Sequence, residues 1–184
     1  MYVAVHGGVG VDSVLGSRSS DLLAGLGPRP LRAGAVLPVG DSDARWAPVD
    51  VAPGRAVHDG VVELGLHRGP HDDWFTAAAV RLLGSATYTV TTDSNRVGVR
   101  LAGAALTRAV EGELPSEGLL PGALQVPPAG RPTIVLADHP VTGGYPVIAV
   151  VRHDDLDLAG QLRPGQQVRF RLAAAGRLLP ALDG

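Results

Sequence analysis

TIVLADHPVTGGYPVIAVV, Thr133–Val151, holds two short apolar runs separated by an acid, a histidine, two prolines, a glycine pair and a tyrosine. TIVLA and PVIAVV are rich in β-branched residues and bounded by turn residues, which predicts two strands. The connection between them carries more chemistry than a turn needs. Gly143-Gly144 permits positive φ and a close approach of backbone to a ligand. Tyr145 offers a phenol and a stacking face. Pro146 fixes the start of the second strand. The same residues would also make a tight hairpin turn, and both readings stay open at this level.

Working outward, the same grammar recurs. The 184 residues include 25 Gly and 15 Pro, which cut the chain into short runs of β-formers. YVAV (Tyr2–Val5), AVLPVG, VVELGL, ATYTVTT, VGVRLAG and VRFRLA join TIVLA and PVIAVV as predicted strands. Two stretches read as helix. DDWFTAAAVRLLG has Asp72 or Asp73 as cap and Gly84 as stop, and HDDLDLAGQL has Asp154 or Asp155 as cap. There is no regular alternation of strand and helix, so a doubly wound parallel sheet is disfavoured. The prediction is a mainly β fold, a closed or nearly closed barrel with one or two short covering helices. ELPSEGLLPGALQVPPAGRP reads as a rigid irregular loop, with Ser116 and Glu117 as caps of a helical turn. Residues 42–60 read as a loop between two lobes, and the tail from Ala173 reads as frayed.

Composition excludes several classes. Net charge is -2, so no basic field draws nucleic acid or an anionic membrane. Cysteine is absent, which rules out disulfides and thiolate metal sites. All 16 basic residues are arginine, so this chain has neither a Schiff-base nor a P-loop lysine. No apolar run is long enough to span a bilayer, and the N-terminus lacks a basic region before its apolar part, which predicts a cytoplasmic protein.

Candidate site residues follow from their chemistry. Asp138 beside His139 would be a base with its orienting partner, or a turn cap next to a solvated histidine. Gln125 lies among apolar neighbours, and a buried amide must find partners. It braces its loop or reads an amide-like ligand. Arg18, among Ser17, Ser19 and Ser20, would bind an anion or flank a helix cap. Arg96 and Arg100 share parity and would hold a carboxylate or phosphate, or sit solvated on an edge. His67 and His71 have zinc-like spacing, but Gly69-Pro70 prevents a continuous helix between them, so no metal is expected.

Taken in order, LGSRSSDLLAGLG, LRAGAVLPVG, GPHDDWF, ATYTVTTDSNRVGVRLAG, the long run from Glu113 to Val151, and LAGQLRPGQQVRF resemble the carboxyltransferase-like family. That family includes the C component of 5-oxoprolinase, allophanate hydrolase subunit 2, the carboxyltransferase part of urea amidolyase and a sporulation kinase-inhibitor antagonist. The resemblance runs from about Tyr2 to about Leu172. The family's N-terminal section, with its VQD-G-R-like and S-G-A-M-D-like motifs, has no counterpart here, so residues 1–184 resemble the C-terminal portion of a family domain: a fragment, a misplaced start or one piece of a split gene.

The resemblance implies a cyclophilin-like β-barrel. It implies a hydrolase subunit, inactive alone, that works with a related B component or kinase-inhibitor-like protein and a third hydrolase subunit. The implied reaction couples ATP hydrolysis to opening of 5-oxoproline to glutamate, or acts on allophanate or urea. Biotin enters only in the urea carboxylase type, and a non-catalytic module that binds a kinase-inhibitor-like partner is the other alternative. In the implied cleft, Asp138 and Tyr145 are catalytic: Asp138 handles a proton or a substrate N–H, and Tyr145 with Gln125 orients a small amide or lactam. Gly143 and Gly144 let backbone approach it, and Arg18 and Arg96 hold a carboxylate or phosphate.

Overall fold

Period-two alternation of apolar side chains needs a second layer to be buried against, and a barrel supplies it by closing on itself. The computed structural model describes residues 3–22, 24–43, 45 and 59–173. They fall in two compact units, Met1–Pro53 and Gly54–Gly184. Among the described residues, nine strands lie in the second unit: β1 (Val62–Arg68), β2 (Thr87–Val90), β3 (Gly98–Ala102), β4 (Glu117–Gly118), β5 (Ala123–Gln125), β6 (Thr133–Val135), β7 (Thr142–Gly143), β8 (Val147–Val151) and β9 (Gln167–Leu172). Seven of them close a barrel in the order β1-β8-β5-β6-β3-β2-β9. Its pairs are antiparallel except β1 with β9, which run parallel. β4 and β7 form a separate two-stranded ribbon.

Register explains the core. Leu64 faces Phe170, Leu66 faces Val151, Val90 faces Leu101, Val99 faces Ile134 and Leu124 faces Ala149. Directly opposed residues project to the same side of a sheet, and all ten belong to one buried cluster. α1 (Ala77–Ser85) adds Ala79, Val80 and Leu83 to it. A second, smaller cluster of Leu119, Ala123, Val135 and Val147 sits apart. Ala123 and Val135 flank Leu124 and Ile134 in sequence, so they project outward from the barrel.

The helices differ from expectation in where they start. Asp72–Trp74 is a 3-10 turn and Phe75 is extended, so the chain breaks before the alanine run. Thr76 caps α1, its hydroxyl accepting the Ala79 N–H at 3.1 Å, and Gly84 lies inside the helix rather than ending it. α2 (Leu156–Gly160) follows a second 3-10 turn. Asp155 does not cap it; its carboxylate accepts the Gly65 N–H at 2.7 Å and is buried. Gly65 has no room for a side chain, because a Cβ would lie 2.7 Å from Arg152 Cδ and 3.0 Å from that same carboxylate. The pair locks β1 to the segment that leads into α2.

Two further expectations are corrected. The proline-rich stretch 113–132 is not an irregular loop throughout, since it contains β4 and β5, and Glu117 opens β4 rather than a helical turn. Gly122 makes β5 possible: its φ is +87°, and its N–H donates to Val135 O at 2.7 Å, joining the sheet while the chain turns. In the first unit Val3–Val5 forms no strand, and AVLPVG contributes only an isolated bridge between Val9 and Val39. No described residue from 3 to 43 is buried, so strands there would have no second layer to pack on. Tyr2, residues 46–58 of the expected inter-lobe loop and residues 174–184 of the tail lie outside the described residues. Among the described residues no helix is long and apolar enough to cross a membrane.

Candidate functional site

β5 and β8 bring the first candidates together. The register of β5 against β8 shifts between Leu124 and Gln125, a bulge that leaves Gln125 opposite Val147. Bulges re-aim a side chain and are common beside functional sites. The Gln125 amide Nε2 donates to Tyr145 O at 3.3 Å. β7 then lies so close that a Cβ on Gly143 would sit 2.7 Å from Gln125 Nε2 and 2.8 Å from Leu119 Cδ1. Gly143 and Gly144 are absent from the positive-φ glycines. Gly143 is therefore explained by close approach and not by turn geometry. Leu119, next to the ribbon strand β4, and Val147 complete an apolar floor around the amide.

His71 and Glu117 reach the same place. Val147 is held on both sides of its peptide by one residue: the His71 N–H donates to Val147 O at 3.1 Å, and the Val147 N–H donates to His71 Nδ1 at 3.2 Å. Gly69 permits this, because a Cβ there would strike Val147 O. Glu117, directly opposite Gly143 in the ribbon, places Oε1 3.5 Å from the same Nδ1. Trp74 meets the imidazole edge-on at 6.2 Å.

The other sequence candidates lie elsewhere. Asp138 and His139 do not form a dyad. Asp138 Oδ2 is 3.1 Å from Arg96 Nε, while the His139 ring contacts Pro140 O through Nδ1 at 2.7 Å. The carboxylate that Arg96 holds is thus one from its own chain. Arg100 turns back on its own hairpin, Nη1 donating to Asp93 O at 3.2 Å, so the two arginines do not form a shared anion clamp. Arg18 belongs to the first unit, where Nε donates to Val11 O at 2.9 Å. Tyr145 is half exposed. Among the described residues no group of three or more His, Asp or Glu could hold a metal ion. Sequence reasoning missed His71 and Glu117 as partners. Their separation along the chain gives no signal, because only tertiary contacts, β4 of the ribbon and the turn before Asp72 against β8, join residues 71, 117 and 147.

Electrostatics set limits on a cofactor. The ionisable groups tied to Gln125 and Gly143 through these contacts are Glu117 and His71. Arg68, Arg96 and Arg100 are engaged within the chain. A triphosphate needs convergent cations or free N–H groups. These residues do not fit one.

The arrangement can read a planar amide. It offers a donor in Gln125, a hydroxyl in Tyr145, a carboxylate in Glu117 and backbone bared by two glycines. The C component of 5-oxoprolinase from Escherichia coli is 36% identical over 180 residues, covering 92% of this chain and 54% of that protein. The chain thus spans about half the length of the 5-oxoprolinase relatives it matches. Among solved structures, TTHA0988 superposes with a TM-score of 0.69 at 40% identity, covering 89% of this chain and 31% of that one. The Kluyveromyces lactis urea carboxylase superposes with a TM-score of 0.69 at 28% identity, covering 89% and 17% respectively. The family model described as carboxyltransferase domain, subdomain A and B, matches residues 1–172, and the chain belongs to that family.

Proposed function

We propose that this chain is a subunit of an ATP-dependent amidohydrolase that opens 5-oxoproline to glutamate, active only with a related partner subunit and a third hydrolase subunit. The observation that carries the reading is the Gln125 amide held between Tyr145 O and the bare backbone of Gly143. A lactam presents one N–H and one C=O on the same edge. Gln125 Nε2 would donate to that carbonyl, the Tyr145 phenol would orient the ring, and Gly143 and Gly144 would let backbone reach it. Asp138, braced by Arg96 on the β6–β7 connection, would handle a proton only where the complete assembly brings it to the substrate. ATP would be held by the partner subunit, in keeping with the poor fit of the residues here. The protein would work in the cytoplasm.

The likeness to urea carboxylase favours a second reading, in which the planar unit is urea or allophanate and the carboxyl group travels on biotin. Both readings share one recognition logic and differ in substrate. The test is co-expression with the partner subunits, followed by ATP-dependent glutamate release from 5-oxoproline. Release that falls by roughly 10-fold or more in Gln125→Ala and Asp138→Asn supports the first reading. A stable complex that leaves 5-oxoproline intact but consumes urea or allophanate supports the second. Unchanged release in both variants overturns the site.

A further inference from the structure

One atom at this site has two claimants. His71 Nδ1 accepts the Val147 N–H at 3.2 Å, which requires a lone pair there and puts the ring proton on Nε2. Glu117 Oε1 is 3.5 Å from the same Nδ1 and has no proton to accept while that lone pair faces Val147. A proton arriving at Nδ1 reverses this. Nδ1–H would oppose the Val147 N–H, and the carboxylate would become its natural acceptor, closing to roughly 2.8 Å. The two states exclude each other. Asp72, next in the chain, does not compete, because it is bound by Arg68 at 2.7 Å. Trp74 contributes only a ring edge. The imidazole is mostly buried, at 13% exposure, and Glu117 is at 39%, so the ring is shielded while the carboxylate meets solvent or ligand.

The two claimants stand on the two sides of the candidate site. Val147 is the cross-strand partner of Gln125, and Glu117 is the cross-strand partner of Gly143. We infer that His71 and Glu117 are the proton-handling pair of this site, with Glu117 meeting an amide-type ligand and His71 Nδ1 storing the proton. The choice of ligand rests on the function proposed above; the proton switch does not. In hydrolysis the pair takes one proton from the attacking water as its oxygen bonds to the carbonyl carbon. It returns one to the nitrogen when the C–N bond breaks and that atom keeps the electron pair. The pair ends as it began.

The test has two arms. In the first, the free protein is labelled with 15N and followed by NMR through the protonation of His71. The neutral ring is expected as the Nε2–H tautomer, and the Val147 amide is expected to shift in step with the ring. A neutral Nδ1–H tautomer, or a Val147 amide indifferent to the ring, overturns the inference. In the second, Glu117→Gln is placed in the reconstituted assembly. Turnover is expected to fall about 100-fold with KM nearly unchanged and with an altered pH profile, as for loss of a general acid–base group. Glu117→Gln keeps the size and half-exposed setting of the side chain, so folding is retained. Full turnover in that variant overturns the catalytic part. If the wild-type assembly turns nothing over, the proposed function fails, while the tautomer and the Val147 shift still decide the switch.

Discussion

Replacing Tyr88 by Phe should stabilise the protein, and more so in alkali. Tyr88 is fully buried in the barrel, with its ring 5.6 Å from that of Phe170. Its hydroxyl finds no hydrogen-bond partner among the described residues. A buried hydroxyl without a partner costs about 1–3 kcal/mol, and Phe keeps the ring contact while removing that cost. The pH dependence follows from ionisation. Burial raises the phenol from 10.0 to about 12, because the low-dielectric core disfavours phenolate. The raised value means that the folded protein holds its proton where the unfolded chain has lost it. Stability from this group is complete below pH 10 and is lost as pH rises through about 12. That difference corresponds to about 2.7 kcal/mol over the window. Urea denaturation of wild type and Tyr88→Phe at pH 7, 10 and 12 measures both effects. The variant should be more stable by about 1 kcal/mol at pH 7, and the gap should widen by about 2–3 kcal/mol at the top of the range. A variant less stable than wild type at pH 7, or a gap that does not change with pH, would refute the reasoning.

Other substitutions separate strain from site chemistry. Asp155→Ala should cost about 2–4 kcal/mol by denaturation, because it strands the buried Gly65 N–H; a loss below about 1 kcal/mol would mean that the lock is idle. Gly69→Ala should lower the unfolding midpoint severely, by more than about 3 kcal/mol, since its Cβ would strike Val147 O and Ala149 N, both backbone atoms. Gly143→Ala should behave differently: the nearest atoms to its Cβ belong to the side chains of Gln125 and Leu119 and not to backbone, so the fold should survive while glutamate release by the assembly falls. Equal stability losses in the two glycine variants would contradict that contrast. Leu15→Gly should raise stability by about 1 kcal/mol, because Leu15 has φ +50° and a side chain at 92% exposure; a clear loss would show that its side chain is covered by a partner.

The barrel was legible because its strands are short, β-branched runs between turn residues. VVELGL, ATYTVTT, VGVRLAG, TIVLA, PVIAVV and VRFRLA all fall on strands. β4 and β7 were not legible, since a two-residue strand has no period to read. β5 was hidden by the prolines and glycines around it. YVAV and AVLPVG show the opposite failure: the local pattern is β-like, but a pattern makes strands only where another layer buries it, and no described residue of 3–43 is buried. Asp155 was read as a cap because acids before a leucine run commonly cap; tertiary demand from Gly65 claimed its carboxylate instead. At the site, residue chemistry left each of Gln125, Gly143 and Tyr145 with an open alternative, and only the family resemblance grouped them. The partners of Asp138, and the meeting of His71 with Glu117, were set by tertiary contacts between distant segments, which local sequence does not encode.

The central claim is that the face joining Gln125, Gly143 and Tyr145 receives the amide-type substrate. Its most direct measurement is NMR of the 15N-labelled chain within the reconstituted assembly, titrated with 5-oxoproline. The Gln125 side-chain amide and the backbone amides of Gly143 and Gly144 should shift saturably, while Gly65 and Gly165 stay in place. Saturable shifts confined to other residues, with these three unmoved, would contradict it.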